Sequence, residues 1–200
     1  MLIETTNFLK TIAPMSDPLV KAIHDLLRFH EFRKKERFLE PGDVSNHVFI
    51  IHKGLVRGYY IQQKKNAKDR ERTSWIMKEL DVVTEPRSFF SRTPTIQYIE
   101  ALERTSAVSI TYEEMEWLYN EFPEFNQHGR ILNQQYNVRA LTRAEELMSN
   151  DASTRYQIFQ DNYPELIKRV PTKHIASYIG VTEECLYRIK NGNYNMGKKT

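Results

Sequence analysis

The stretch Thr172-Lys173-His174-Ile175-Ala176-Ser177-Tyr178-Ile179-Gly180-Val181-Thr182-Glu183-Glu184-Cys185-Leu186-Tyr187-Arg188-Ile189-Lys190 sets how the rest of the chain is read. Its apolar residues Ile175, Ala176, Ile179, Val181, Leu186 and Ile189 are spaced as two crossing helices need to share a core. Gly180 lies between them, where a short turn needs a residue free to take positive φ. Thr182 is a good N-cap for the second helix, whose outer face carries Glu183, Glu184, Tyr187, Arg188 and Lys190. The pattern predicts a helix-turn-helix with side chains able to reach DNA. An ordinary two-helix corner has the same apolar-Gly-apolar signature, so the decision falls to the other segments.

A chain of 200 residues with 40% apolar content can bury a real core in one large or two modest domains. No apolar run approaches the roughly 20 residues that cross a bilayer. The start, Met1-Leu2-Ile3-Glu4-Thr5-Thr6-Asn7, lacks the basic and apolar stretches of a signal peptide, so a cytoplasmic location without membrane contact is expected. The single cysteine, Cys185, excludes an intrachain disulfide and any cluster or zinc site built from several cysteines, and its position suggests a packed thiol. The formal charge is +3, and its distribution is uneven: residues 1–150 hold 21 Lys+Arg against 21 Asp+Glu, whereas residues 151–200 hold 8 against 5. A basic terminal module beside a neutral body fits phosphate contacts made by one end of the molecule.

From about residue 36 to residue 112 the pattern changes to short β-prone runs: Val48-Phe49-Ile50-Ile51, Leu55 to Ile61, Thr73-Ser74-Trp75-Ile76-Met77 and Ala107-Val108-Ser109-Ile110. Pro41-Gly42-Asp43 and Lys53-Gly54 supply turns, and Gln62 to Arg72 reads as a long charged hairpin tip with five basic residues, best explained by solubility. Such spacing indicates a barrel or sandwich.

Helices flank the strands. Asp17 is read as an N-cap before Pro18 and the apolar-periodic run to Leu27; Glu113 to Tyr119 is a short helix ended by Phe122-Pro123. Pro123 then starts a much longer helix to about Asn150, in which Ile131, Gln134, Val138, Leu141, Glu145 and Met148 recur at spacings of three and four. That seam is read as a homodimer contact, because a helix this long outruns a small barrel. Leu132, Tyr136 and Leu147 offer a second face for packing within the chain.

In order and spacing, these parts resemble the cyclic-AMP receptor protein/FNR (Crp/Fnr) regulators over nearly the whole chain. The motifs that carry the resemblance are Pro41-Gly42-Asp43, Val48 to Val56, Ala101 to Ile110, Phe122-Pro123-Glu124, Asp151-Ala152-Ser153-Thr154-Arg155 and Ile175 to Lys190. The chain looks most like short members, since only Asn191 to Thr200 follow the second helix. The fold implied is α+β. An N-terminal antiparallel β-roll (a double-stranded β-helix like the cyclic-nucleotide-binding domain) with flanking helices occupies residues 1–122. A long dimerisation helix and hinge follow at 123–150, and a C-terminal helix-turn-helix domain at 151–200.

Carrying the ligand site over residue by residue exposes a departure. Cyclic-nucleotide binders of this kind have Gly-Glu and, about ten residues later, Arg-Ser or Arg-Thr; the matching pairs here are Thr84-Glu85 and Thr95-Ile96. The glutamate is kept and the arginine that holds the cyclic phosphate is not, a loss that typically costs about 1.5–3 kcal/mol or more when the group is buried. Arg87 and Arg92 lie nearby in sequence, and Ala140-Leu141 replaces the small hydroxyl residues that meet the base. The candidate ligand residues are therefore Glu85, Arg87, Thr95 and Ile96, with tight binding of cyclic AMP not expected, the effector unknown or absent, and no cofactor. Iron–sulfur sensing needs several cysteines, and no spacing marks His24, His30, His47 or His52 as a haem ligand.

The DNA side transfers better. The resemblance places Glu184 and Arg188 where base edges are read, the arginine towards guanine and the glutamate accepting from cytosine or bracing the arginine. Thr172, Lys173, Thr182 and Lys190 are candidates for phosphate contacts. Glu183 stands where the cyclic-AMP receptor has arginine, so the target sequence should differ. The implied partners are double-stranded DNA at an inverted repeat, a second copy of the chain, and RNA polymerase. The implied mechanism is a population shift in which an effector alters the hinge near Met148 to Asp151. Two rivals are a member that has lost DNA binding and acts through protein contacts, and a cupin-type metalloenzyme. Against the second, His47 and His52 are five residues apart and fall on opposite faces of a strand, and no catalytic or metal-ligand cluster stands out.

Overall fold

The computed structural model describes residues 1–63 and 69–194. The hairpin-tip lysines Lys64, Lys65 and Lys68 lie outside the described residues, as do the last six positions. Chain contacts divide the molecule into two compact units, Met1–Tyr60 with Trp75–Asn137, and Ile61–Ser74 with Val138–Thr200.

The first unit opens with two helices, α1 (Leu2–Ile12) and α2 (Asp17–Leu26); eight short strands follow among the described residues, their Ile61–Ser74 portion belonging to the second unit. The strands are β1 (Arg28–Phe32), β2 (Arg37–Leu39), β3 (His47–Lys53), β4 (Val56–Gln62), β5 (Arg70–Met77), β6 (Val82–Val83), β7 (Tyr98–Ala101) and β8 (Thr105–Thr111). They form two four-stranded sheets, ordered β1-β8-β3-β6 and β2-β7-β4-β5, with antiparallel registers such as Phe49↔Ser109 and Val56↔Ala101. The fold is α+β with antiparallel sheets, as the sequence leads one to expect.

Alternation of side chains along the strands divides the core in two. Phe32, Leu39, Phe49, Ile51, Val56, Val83, Ile99, Ala101 and Ala107 fill the roll interior, with Phe38, Trp75 and Met77 packed against them. Val48, Ile50 and Ile110 face the other way, onto Leu9, Leu19, Ile23, Met115, Leu118 and Phe125 of the surrounding helices. Gly54 closes the β3–β4 turn at φ +117°, where a Cβ would lie 2.4–2.8 Å from Thr105. Across β4 and β7 the register partners Arg57 and Glu100 are both buried and form an ion pair of 3.1 Å, with the guanidinium 3.9 Å over the Tyr59 ring.

Several boundaries differ from those read in the sequence. Ser16, not Asp17, is the N-cap of α2, its hydroxyl accepting from Leu19 N–H, and Asp17 opens the helix. The roll begins at Arg28 rather than near residue 36, because β1 pairs with β8 along all five of its residues. Helix α1 had no clear start signal: its N-cap is Met1, which makes no side-chain cap bond. Between β6 and β7 lies α3 (Pro86–Ser91), and after β8 comes α4 (Tyr112–Glu121), opened by a capping box between Thr111 and Glu114. The long helix α5 (Phe125–Ser149) follows, beginning two residues after Pro123.

In the second unit, α6 (Ala152–Asn162) is capped by Asp151, and α7 (Leu166–Arg169), α8 (Thr172–Tyr178) and α9 (Glu183–Lys190) complete the chain. Its core is Ala152, Tyr156, Phe159, Leu166, Val170, Ile175, Ala176, Ile179 and Leu186.

Three histidines of the first unit carry a depressed pKa. Burial is the main cause at His128, where neighbouring backbone groups of Leu9, Glu124 and Ala13 pull part of the way back. Burial also leads at His30 and His47, followed by repulsion from His47 and Arg28 at the first and from Arg28 at the second. A folded-state pKa below the unfolded value means that the unfolded chain takes up the proton first, so stability is complete above about pH 6.5 and falls as pH drops through the depressed values. Melting temperature should therefore fall between about pH 7.5 and pH 5, and His128→Phe should flatten that fall in a scanning-calorimetry pH series. An undiminished fall in the variant would remove His128 as a contributor.

Candidate functional site

The helix-turn-helix is built from the bottom up by its caps. Helix α8 ends at Tyr178, and the chain turns at Gly180, φ +78°, a left-handed value that glycine takes without strain. Thr182 then caps α9, its hydroxyl accepting from Cys185 N–H at 3.1 Å. Leu186, Ile175 and Ala176 are buried, while Glu183, Glu184, Tyr187, Arg188 and Lys190 are exposed. Acidic residues in the first turn and basic residues in the last suit the helix dipole, so α9 has local reasons to form. Arg188 donates to Glu184 at 2.5 Å, one helical turn away. Of the phosphate-contact candidates, Lys173 and Lys190 are exposed, Thr182 is committed to the cap, and Thr172 is half-buried as the first residue of α8. Cys185 is half-buried.

Contacts within this unit that the sequence did not announce hold α8 in place. The Ser177 hydroxyl accepts from Thr73 N–H at 2.9 Å and donates to Glu71 C=O at 2.9 Å, so a helix side chain serves strand β5 as a neighbouring strand would. Arg155 donates to Ile179 C=O at 2.8 Å and to Asn150 C=O. Arg143 donates to Ser74 C=O at 3.2 Å and to Tyr178 C=O, its guanidinium 3.5 Å over the Tyr178 ring. Arg155 closes a motif already noticed in the sequence; nothing distinguished Arg143 from other basic residues of a polar helix.

The seam of α5 is uncovered in the single chain. Val138, Leu141 and Met148 are 62%, 57% and 86% exposed, Gln134 and Glu145 are exposed, and Ile131 is half-buried. On the other face the Tyr136 hydroxyl accepts from Val82 N–H at 2.7 Å and Leu132 is half-buried, whereas Leu147 is exposed.

In the roll, the four ligand candidates are split. Glu85 is buried and caps α3, Oε2 accepting from Ser88 N–H at 2.7 Å. Thr95 is buried, its backbone paired with Gly42 and Asp43 and its hydroxyl accepting from Gln97 N–H. Arg87 and Ile96 are exposed, so the structure does not gather them with the other two. Arg92 donates to Ser45 C=O and Asn46 Oδ1 and lies over the Tyr112 ring, held by the loop before β3 and the first residue of α4. His30 Nε2 and His47 Nδ1 share the Ser109 hydroxyl at 2.9 and 3.1 Å, and His52 faces Glu4 at 3.1 Å, so His47 and His52 do part company. Among the described residues no group of three or more potential ligands could hold a metal ion, and no helix is long and apolar enough to cross a membrane.

Trp75 packs directly on Gly58: a Cβ at that glycine would lie 2.2 Å from the indole. Gly58→Ala is therefore expected to destabilise the fold by about 1–3 kcal/mol through overpacking, and Trp75→Leu should absorb most of that cost. A denaturant double-mutant cycle measures the coupling; additive effects would mean that the indole is free to move aside.

Residues 29–122 match the family model of the cyclic nucleotide-binding domain. No curated protein matches the sequence. Among solved structures the chain is similar to CLP of Xanthomonas campestris, a c-di-GMP-responsive global regulator, at 14% identity over 92% of this chain and 97% of that one, TM-score 0.71. FixK2 of Bradyrhizobium japonicum is similar at 17% identity over 83% of each chain, TM-score 0.67. A Crp/Fnr-family transcriptional regulator from Eubacterium rectale is similar at 15% identity over 89% of this chain and 83% of that one, TM-score 0.66. The fold of this chain is thus the one these regulators share, and its residues 29–122 are similar to a cyclic nucleotide-binding domain.

Proposed function

We propose that the chain is a dimeric, sequence-specific DNA-binding regulator of the Crp/Fnr kind and not an enzyme, with residues 1–122 as sensor, 123–150 as dimerisation helix and hinge, and 151–200 as reading head. The observation that carries this reading is α9 itself: a capped helix after a Gly180 turn, with one face buried through Leu186 and the other presenting Glu183, Glu184, Tyr187, Arg188 and Lys190. Arg188 presented in this way suits guanine O6 and N7, and Glu184 orients it. Lys173 and Lys190 suit phosphates, and a two-fold dimer would present two such helices to an inverted repeat in cytoplasmic DNA.

Selection of bound sequences from random DNA tests the reading, an inverted repeat being expected; recovery of no enriched sequence would favour the rival that acts through protein contacts. Within a selected site, Arg188→Ala should weaken binding by about 1–3 kcal/mol, or roughly 5-fold to 150-fold, and relax preference at one base per half-site in a gel-shift titration. Unchanged affinity removes Arg188 from the reading role.

For the seam, the exposed apolar trio Val138, Leu141 and Met148 supports a helix-to-helix contact between two copies. Leu141→Glu should convert a dimer to monomer in sedimentation velocity without loss of helical circular dichroism. A dimer that persists would place the contact elsewhere.

For the sensor, cyclic AMP is a poor fit and no cofactor is assigned. Thr95 offers no cation, Arg92 is engaged by Ser45 and Asn46, and Trp75 lies against Gly58 in the roll interior. RNA polymerase as a further partner follows from the kind of regulator alone.

A further inference from the structure

Within the second unit, the C-terminal half of α5, helix α6 and the end of α8 enclose a cavity of about 140 Å³ that has no part in reading DNA. Its charged lining is mainly cationic: Arg139, Arg143 and Arg155 stand with a single acid, Glu146. Val138, Ile158 and Ile179 share the apolar lining with three rings, Phe159 being centred 5.5 Å from Tyr163 and 5.4 Å from Tyr178. We propose that this cavity binds a small aromatic carboxylate.

Size, charge and wall chemistry agree on that class. A volume near 140 Å³ admits one ring with a short substituent and excludes a nucleotide. Rings offer a flat apolar body a face to pack on, and arginine is the side chain that matches a carboxylate with paired N–H groups. Two of the guanidinium groups are already oriented. Arg143 spends Nε and Nη2 on Ser74 and Tyr178 carbonyls, and Arg155 spends Nε and Nη1 on Ile179 and Asn150 carbonyls. Each guanidinium has five N–H groups, so both keep donors for a ligand while their heads stay fixed. The carbonyls they hold belong to Tyr178 and Ile179, the last residues before the Gly180 turn. A carboxylate taking the spare N–H groups would therefore be held by the same two guanidinium groups that hold the end of α8.

Binding here does not depend on whether α9 reads DNA, so the two readings fail separately. Isothermal titration calorimetry of the whole chain with benzoate should give a Kd of about 1 mM or tighter, and the neutral isostere benzamide should bind at least about tenfold more weakly. Asn162→Trp, at an exposed lining position of α6, should abolish the benzoate heat while leaving circular dichroism and melting unchanged. Should that variant misfold, Thr142→Phe, at another exposed lining position on α5, fills the same space. Equal affinity for benzoate and benzamide, binding that survives both blocking variants, or no heat at about 10 mM benzoate overturns the proposal.

Discussion

A short helix ends in carbonyls that no residue of its own can satisfy, and α8 meets that constraint with arginine. Arg155 takes Ile179 C=O and Arg143 takes Tyr178 C=O, from two different helices, α6 and α5. The turn at Gly180 starts where these bonds stop, and Thr182 caps α9 two residues later. Orientation of the exposed face of α9 is thus set by a backbone terminus held from outside. A positive charge at a helix C-terminus is favourable through the dipole as well, so the same contacts satisfy carbonyls and complement the end of the helix.

The roll resolves its interior in the opposite manner. Phe32 and Phe38 stack at 4.1 Å between ring centres, Phe49 meets both edge-on, and Trp75 lies on a glycine because only hydrogen fits beneath it. The Ser109 hydroxyl serves both His30 Nε2 and His47 Nδ1. Aromatic side chains carry large buried area with few rotatable bonds, so such an interior orders at low entropic cost.

Elements with a local physical cause were legible in the sequence. Gly180 needed positive φ and has it; Thr182 was a cap and is one; the strand runs at Val48 and Ala107 alternate as half-buried pairs do. What the sequence hid depends on residues far apart. Strand β1 exists because β8 lies beside it, and Arg28 to Phe32 carries no alternation strong enough to say so alone. Ser177 looked like one more polar residue on a short helix until Thr73 and Glu71 arrived next to it from more than 100 positions away. The shift of the α2 cap from Asp17 to Ser16 is a milder case, since both residues are good caps and proline is accepted at either of the first two helical positions. In the candidate ligand set, Glu85 and Thr95 share burial whereas Arg87 and Ile96 point outward, a division that spacing between residues does not encode.

Strand β5 is the last strand of its sheet, and an unpaired edge is a template for another chain to add itself to. Sheet proteins usually blunt such edges with charge, proline or a bulge. Here a single serine hydroxyl, offered by α8, occupies the Thr73 N–H and the Glu71 C=O, two groups on the side of the strand that an intruding chain would need first. Helix α8 therefore also guards that strand, and its loosening would leave bare a stretch of β-edge. Order in α8 and protection of that edge are linked through one hydroxyl, and conditions that free α8 are those in which self-association should begin.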